Sequence, residues 1–146
     1  MEILSPLSFK QNSNRSIGEV TRSALIKIGV PESYCRNFDL LSPIQIVFKG
    51  GICTNISVEN DRLWFWSSFS ITENQILTNI ESILNILTQP VSYAETDRVT
   101  IGKNTNGYEL KALINPRIFS DDSLFIEAIE SFYKTSSNFQ TLLDYK

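Results

Sequence analysis

The hydrophobic positions of this chain change period several times, and each change marks an element. Ile17, Val20, Ala24, Leu25 and Ile28 recur every three or four residues, which predicts a helix over about 17–28. Ser16 and Glu19 have the form of a capping box at its start, and Gly29 and Pro31 supply a stop. Residues 30–42 then read as a connection whose Leu40-Leu41 pair tucks into the core. Pro43 opens a strand with Ile44, Ile46 and Phe48 on one face, and Gly50-Gly51 turns it into a second strand carrying Ile52, Thr54, Ile56 and Val58. After the polar turn Glu59-Asn60-Asp61 comes Arg62-Leu-Trp-Phe-Trp-Ser-Ser-Phe69, the most aromatic stretch of the chain. A strand sends alternate side chains to opposite faces. Leu63, Phe65 and Phe69 therefore share one face, Trp64 and Trp66 the other.

The helical period returns at a second capping box, Thr72 to Gln75, ahead of Ile76, Leu77, Ile80, Ile83, Leu84 and Leu87, and ends near Gln89-Pro90. Val91, Tyr93, Val99 and Ile101 are in phase over 91–102 and predict a long, bent strand. The loop Lys103–Gly107 leads into a fifth strand with Tyr108, Leu110, Ala112 and Ile114, which Pro116 closes. Ser120 is placed to cap a last helix, with Asp121 and Asp122 near its positive end and an apolar face of Leu124, Phe125, Ala128, Ile129, Phe132 and Tyr133. Past Thr135-Ser-Ser-Asn138 the pattern loosens, and Phe139, Leu142 and Leu143 read as a short further turn docking back. The order α-β-β-β-α-β-β-α defines an α+β fold, a twisted antiparallel sheet packed with three helices. Residues 1–15 read as a flexible N-terminal extension and 16–146 as a single domain.

Composition narrows the function classes. At 42% hydrophobic and 20% charged residues the chain has enough apolar material for a real core. A net charge of −3 with scattered Lys and Arg argues against nucleic-acid binding. No apolar run approaches the ~20 residues of a membrane span, and the N-terminus lacks the layout of a secretory signal. Cys35 and Cys53 form no CxxC pair, so reduced thiols in a cytoplasm are the expectation.

The chain has no histidine. That removes the commonest general base and metal ligand, and with them Ser-His and Cys-His catalysis. Asp121-Asp122 is accounted for by helix capping, without a metal. Glu95 and Asp97, two apart, would share a strand face, but no companion motif makes them a catalytic pair. Gly50-Gly51 is too short for a phosphate loop. Cys35 has only Arg36 as a nearby cation. The expectation is no enzyme, no metal and no cofactor. The alternative is a small α+β ligand-binding domain or carboxylate enzyme with an aromatic-lined pocket.

The stronger signal is surplus apolar surface, because the aromatic strand is apolar on both faces and something must cover the second. The segments Ser23-Ala-Leu-Ile-Lys-Ile-Gly-Val-Pro31, Asn60-Asp-Arg-Leu-Trp-Phe-Trp-Ser-Ser-Phe69, Ser82-Ile-Leu-Asn-Ile-Leu87 and Phe125-Ile-Glu-Ala-Ile-Glu-Ser-Phe-Tyr133, in this order, resemble the class I type III secretion chaperones, more closely their SpaK/InvB-like (class IB) group. The likeness runs from about Ile17 to Tyr133 and leaves residues 1–15 unaccounted for. It implies a non-catalytic, cytoplasmic bacterial homodimer. Such a protein holds the non-globular N-terminal segment of one or more effectors extended, stable and competent for secretion, until an ATPase of the apparatus strips it. Assigned by element, the resemblance points to effector contacts at Leu25, Ile28, Phe48, Trp64 and Trp66. It points to dimer contacts at Ile80, Ile83, Leu84, Leu87 and Tyr93.

Overall fold

A computed structural model describes residues 18–35 and 43–144 of the chain. Ser16 of the first capping box, the Leu40-Leu41 pair and the extension 1–15 lie outside the described residues. The elements are α1 (18–27), α2 (Glu32–Cys35), β1 (Ile44–Val47), β2 (Cys53–Glu59), β3 (Arg62–Phe69), α3 (Glu73–Thr78), α4 (Ile80–Leu87), β4 (Thr100–Asn104), β5 (Gly107–Leu113) and α5 (Asp122–Asp144). A 3-10 turn, Pro116–Ser120, joins the last two. All five strands are antiparallel, in the order β1-β2-β3-β5-β4. The fold is the expected α+β one.

Turn chemistry sets the registers. Asn60 and Asp61 both adopt positive φ, 54° and 61°, the conformation of the tight turn that matches strand twist between β2 and β3. Gly50 and Gly51, at φ 108° and 90°, serve β1 and β2 in the same way. Opposite β3, Ile56 faces Phe65 on one side and Ala112 faces it on the other. These residues share the inner face with Leu63 and Phe69, and all are buried.

The helix over this face is α5. Phe125, Ala128, Ile129, Phe132, Ser136, Phe139 and Leu143 are its buried residues, a stripe at helical spacing. Phe125 and Phe132 meet Phe65 edge-on, with ring centroids 5.7 and 6.0 Å away, and Phe139 meets Phe69 at 4.8 Å. The expected break at Thr135–Asn138 does not occur. Continuing the helix keeps Phe139 and Leu143 on the stripe of Phe132, and that burial outweighs the weak helix preference of the polar run. Ser136 fits against the sheet, its Oγ 3.3 Å from Ser67 Oγ.

Three other expectations are corrected. The helix after Thr72 starts with the predicted capping box but is divided at Asn79. The Asn79 side chain donates to Gln75 O at 2.9 Å and competes with the helical ladder. The strand expected over 91–102 begins only at Thr100. Val91 N–H bonds Asp97 O, Asp97 adopts φ 58°, and Ala94 makes a single bridge to Ile114. This stretch therefore turns onto the sheet edge. The cap of α5 is Asp121, whose Oδ1 accepts from Ser123 N–H at 2.8 Å, while Ser120 belongs to the 3-10 turn.

Gly107 opens β5 at φ 150° with Phe69 O only 2.4 Å from where a Cβ would stand. Gly107→Ala should destabilise the fold by about 2–3 kcal/mol, from overpacking and a glycine-only backbone conformation. Urea denaturation reads this directly, and a change below about 0.5 kcal/mol would show the turn to be slack.

Candidate functional site

The sheet has two edges, and one of them, unpaired on its outer side among the described residues, runs beside an apolar groove. β1 pairs with β2 alone among the described residues. Phe48 N–H bonds Ile52 O at 2.9 Å. In an antiparallel ladder the bonded residues alternate. The backbone groups of Ile46 and Ile44 therefore turn toward β2, and those of Gln45 and Val47 turn outward. The side chains alternate as well: Ile44 and Ile46 are half-buried toward the helices, Gln45 and Val47 exposed, Val47 at 64%.

The helix side of this edge is built by α1. Gly29 at φ 105° ends the helix, and Val30 N–H returns to Leu25 O at 3.0 Å. The chain thus turns close beside β1. A cavity of about 320 Å³ lies there, lined by Leu25, Val30, Tyr34, Cys35 and residues 44–47. A second, of about 500 Å³, follows further along β1, lined by Ile28, Val30, Ile46, Val47, Phe48 and Ile129 among others. Val30, Ile46 and Val47 border both, so the two form one groove along the strand. Sizes of this order suit a ligand or side-chain anchors. The far end is fixed by Phe48, which stacks on Tyr133 at 4.2 Å and 20°.

α1 is tied down by one carboxylate. Asp122 Oδ2 accepts from Ser23 Oγ at 2.5 Å and from Lys27 Nζ at 2.8 Å. The bond from Lys27, then that from Ser23, holds the Asp122 carboxyl below its ordinary 3.8. Asp121 and Asp122 thus have partners within the fold, and among the described residues no group of three His, Cys, Asp or Glu could hold a metal ion.

The residues singled out in the sequence separate into places. Leu25, Ile28 and Phe48 come together on the groove. Trp64 and Trp66 stand on the outer face of the sheet, half-buried among cross-strand neighbours. Lys111 Nζ lies 4.7 Å over the Trp64 ring and reaches Glu59, and Trp66 Nε1 donates to Ser57 Oγ at 3.0 Å. Neither tryptophan lines the two cavities beside β1. Ile83 and Tyr93 are enclosed in the chain's own core. Burial, opposed by the side chain of Thr135, pushes the Tyr93 phenol up to about 12, so it stays neutral. Leu87 is half-buried, and Ile80 and Leu84 are exposed, together with Leu77, at 42%, 52% and 59% respectively. Glu95 and Asp97 are on a turn, not a strand, and Glu95 is ion-paired with Arg62.

Sequence reasoning missed Val30, Tyr34, Cys35, Ile44, Ile46 and Val47 as groove residues. The available signal was Val47, an apolar residue in phase with polar Gln45.

An antiparallel sheet backed by helices, with an apolar groove along one edge, defines a small protein of the α+β class. A family profile described as the Invasion protein B family matches residues 29–105, just over half of the chain. The match begins at the glycine that ends α1 and spans β1 through β4. The chain is also 29% identical over 120 residues to the Surface presentation of antigens protein SpaK of Salmonella typhimurium (strain LT2), and equally to that of Salmonella typhi, covering 80% of this chain and 87% of each relative. The chain belongs to the invasion protein B family, the SpaK/InvB-like chaperones of type III protein secretion. No described helix is long and apolar enough to cross a membrane.

The tie at Asp122 has a signed consequence. With a lowered folded pKa, its contribution to stability is complete above about pH 4 and is lost as pH falls through the folded value. Asp122→Asn should remove the part of the acid-induced loss of stability that falls below pH 4, measured by urea melts between pH 2.5 and 6. Parallel curves for both proteins would show the tie contributes nothing.

Proposed function

We propose that the chain binds the non-globular N-terminal segment of one or more secreted effectors and keeps it extended and secretion-competent. The client pairs as an extra strand with Gln45 and Val47 of β1 and sets apolar side chains into the groove formed by Leu25, Ile28, Val30, Ile46 and Phe48. The observation that carries this is the outer edge of β1, unpaired among the described residues, lying directly along that groove. Backbone pairing accepts many sequences, while the cavities select apolar anchors at alternate positions. Trp64 and Trp66 offer a flatter contact on the outer face for client that runs past the edge. The protein works in the bacterial cytoplasm without catalysis or cofactor, and the secretion ATPase removes it from the client.

Exposed Leu77, Ile80 and Leu84 support a homodimer formed through the α3–α4 face, with Leu87 at its margin and Ile83 and Tyr93 backing it from within. An apolar row of this kind is costly to leave in water.

Val47→Pro removes an outward N–H, and Ile46→Asp puts a charge in the groove. Each should lower the amount of polypeptide that copurifies from the native host at least tenfold, a loss of about 1.4 kcal/mol. Val47→Pro should leave the fold intact, since that N–H faces away from β2 and edge strands tolerate proline. Unchanged recovery with both variants would remove the groove from the account.

A further inference from the structure

We propose that the two cavities beside β1 select different client residues, and that the far one selects a neighbouring pair of opposite charge, a basic residue on the helix side and an acidic one on the outer side. This rests on the groove reading above and names the client chemistry that the groove takes. The near cavity, bordered by Leu25, Ile44 and Ile46 among others, has no Lys, Arg, Asp or Glu in its lining. The far cavity, of about 500 Å³, has an apolar lining that includes Ile28, Phe48 and Ile129, and two charged residues at its border, Lys49 and Glu130.

The two charges belong to different sides of the strand. Gln45 and Val47 are the exposed positions of β1, and Lys49, also exposed, continues their alternation past Phe48. Phe48 N–H still bonds Ile52 O, so pairing with β2 runs up to the residue before Lys49. Glu130 belongs to α5, the helix over the inner face, and precedes Tyr133 by just under one helical turn. Tyr133 stacks on Phe48 and its hydroxyl donates to Lys49 O at 3.4 Å, which fixes this end of the groove. The ion pairs among the described residues are Lys27–Asp122, Arg62–Glu95 and Lys111–Glu59, and neither Lys49 nor Glu130 takes part in them. Exposed charges at the rim of a binding surface contribute little to the fold and more to the choice and register of the partner.

A strand added along β1 sends consecutive side chains to opposite sides of the sheet. One client residue therefore turns to the side of Glu130 and its neighbour to the side of Lys49. Charge complementarity makes the first basic and the second acidic. The cavity lining is apolar, so the basic residue enters by its methylene stem and leaves its charge at the border. Ile46 and Val47 border both cavities, and inward residues of an added strand repeat about every 6.8 Å. The basic residue is thus two positions from an apolar residue seated in the near cavity. Read outward from that cavity, the client presents an apolar residue, any residue, a Lys or Arg, and then an Asp or Glu.

Fluorescence anisotropy with labelled synthetic strand peptides tests this. Each peptide carries a leucine for the near cavity and differs only at the far pair, which is Arg-Glu, Glu-Arg or the neutral Met-Gln. Each is made in both sequence orders, since an added strand runs either parallel or antiparallel to β1. In one order the Arg-Glu peptide should bind the wild-type protein about threefold or more tightly than the other two. That margin should shrink at ~1 M salt, where the screening length is about 3 Å. In the double variant Lys49→Glu/Glu130→Lys the preference should invert, with Glu-Arg binding more tightly than Arg-Glu. Both side chains are exposed, and the urea midpoint of the variant reports that it is folded. Equal binding of all the peptides to the wild-type protein, or a folded double variant that still prefers Arg-Glu, overturns the proposal. If the neutral peptide binds and no charge preference appears, the groove reading stands and the charge pair fails. If no peptide binds, the groove reading fails and the charge pair with it.

Discussion

The contact on which this structure depends is the meeting of three phenylalanines of α5 with two of β3. Phe125, Phe132 and Phe139 recur every seven residues, two helical turns, and lie along Phe65 and Phe69 of the central strand. Edge-to-face pairs of this kind contribute roughly 0.5–1.5 kcal/mol each beyond the burial of their area. They join the longest helix to the middle of the sheet and set the direction of α5 across it. Its first turn then presents Asp122 to α1, and its middle presents Tyr133 to Phe48. The groove beside β1 follows from that placement, because α1 and the end of β1 are each held by α5.

The two faces of the aromatic strand reach different solutions. Leu63, Phe65 and Phe69 are covered by helices in the ordinary way. Trp64 and Trp66 are accommodated without one, by a lysine over one ring and a hydrogen bond from the other indole to a neighbouring strand. Their large rings are half-buried beside cross-strand neighbours. Among the described residues, more exposed apolar side chains stand at Val47 beside the β1 groove and at Leu77, Ile80 and Leu84. In the proposed function, self-association and client binding would use different elements, α3–α4 and the β1 groove.

Much of this was legible in the residues. Alternation placed every inward side chain of β2, β3 and β5, and positive-φ residues at Gly50-Gly51 and Asn60-Asp61 marked two turns. The capping box at Thr72 located the start of α3. Legibility failed where tertiary packing decides. Thr135–Asn138 looks like a helix end in isolation, and only Phe69 opposite Phe139 explains why the helix continues. Alternation over 91–102 resembles a strand, but a chain arriving from α4 must turn before it meets the sheet. Leu25, Ile28 and Phe48 were assigned by element from the family resemblance, and they line the cavities beside β1. Ile44, Ile46 and Val47 were not recognised with them, because strand order is not written in local pattern. Nothing before the fold says that β1 is an edge.

Native mass spectrometry of the protein purified from its own host tests the central claim most directly. The expected result is a species at twice the 16.6 kDa chain mass and a second species of two chains carrying one further polypeptide. A monomer with no polypeptide bound would contradict it.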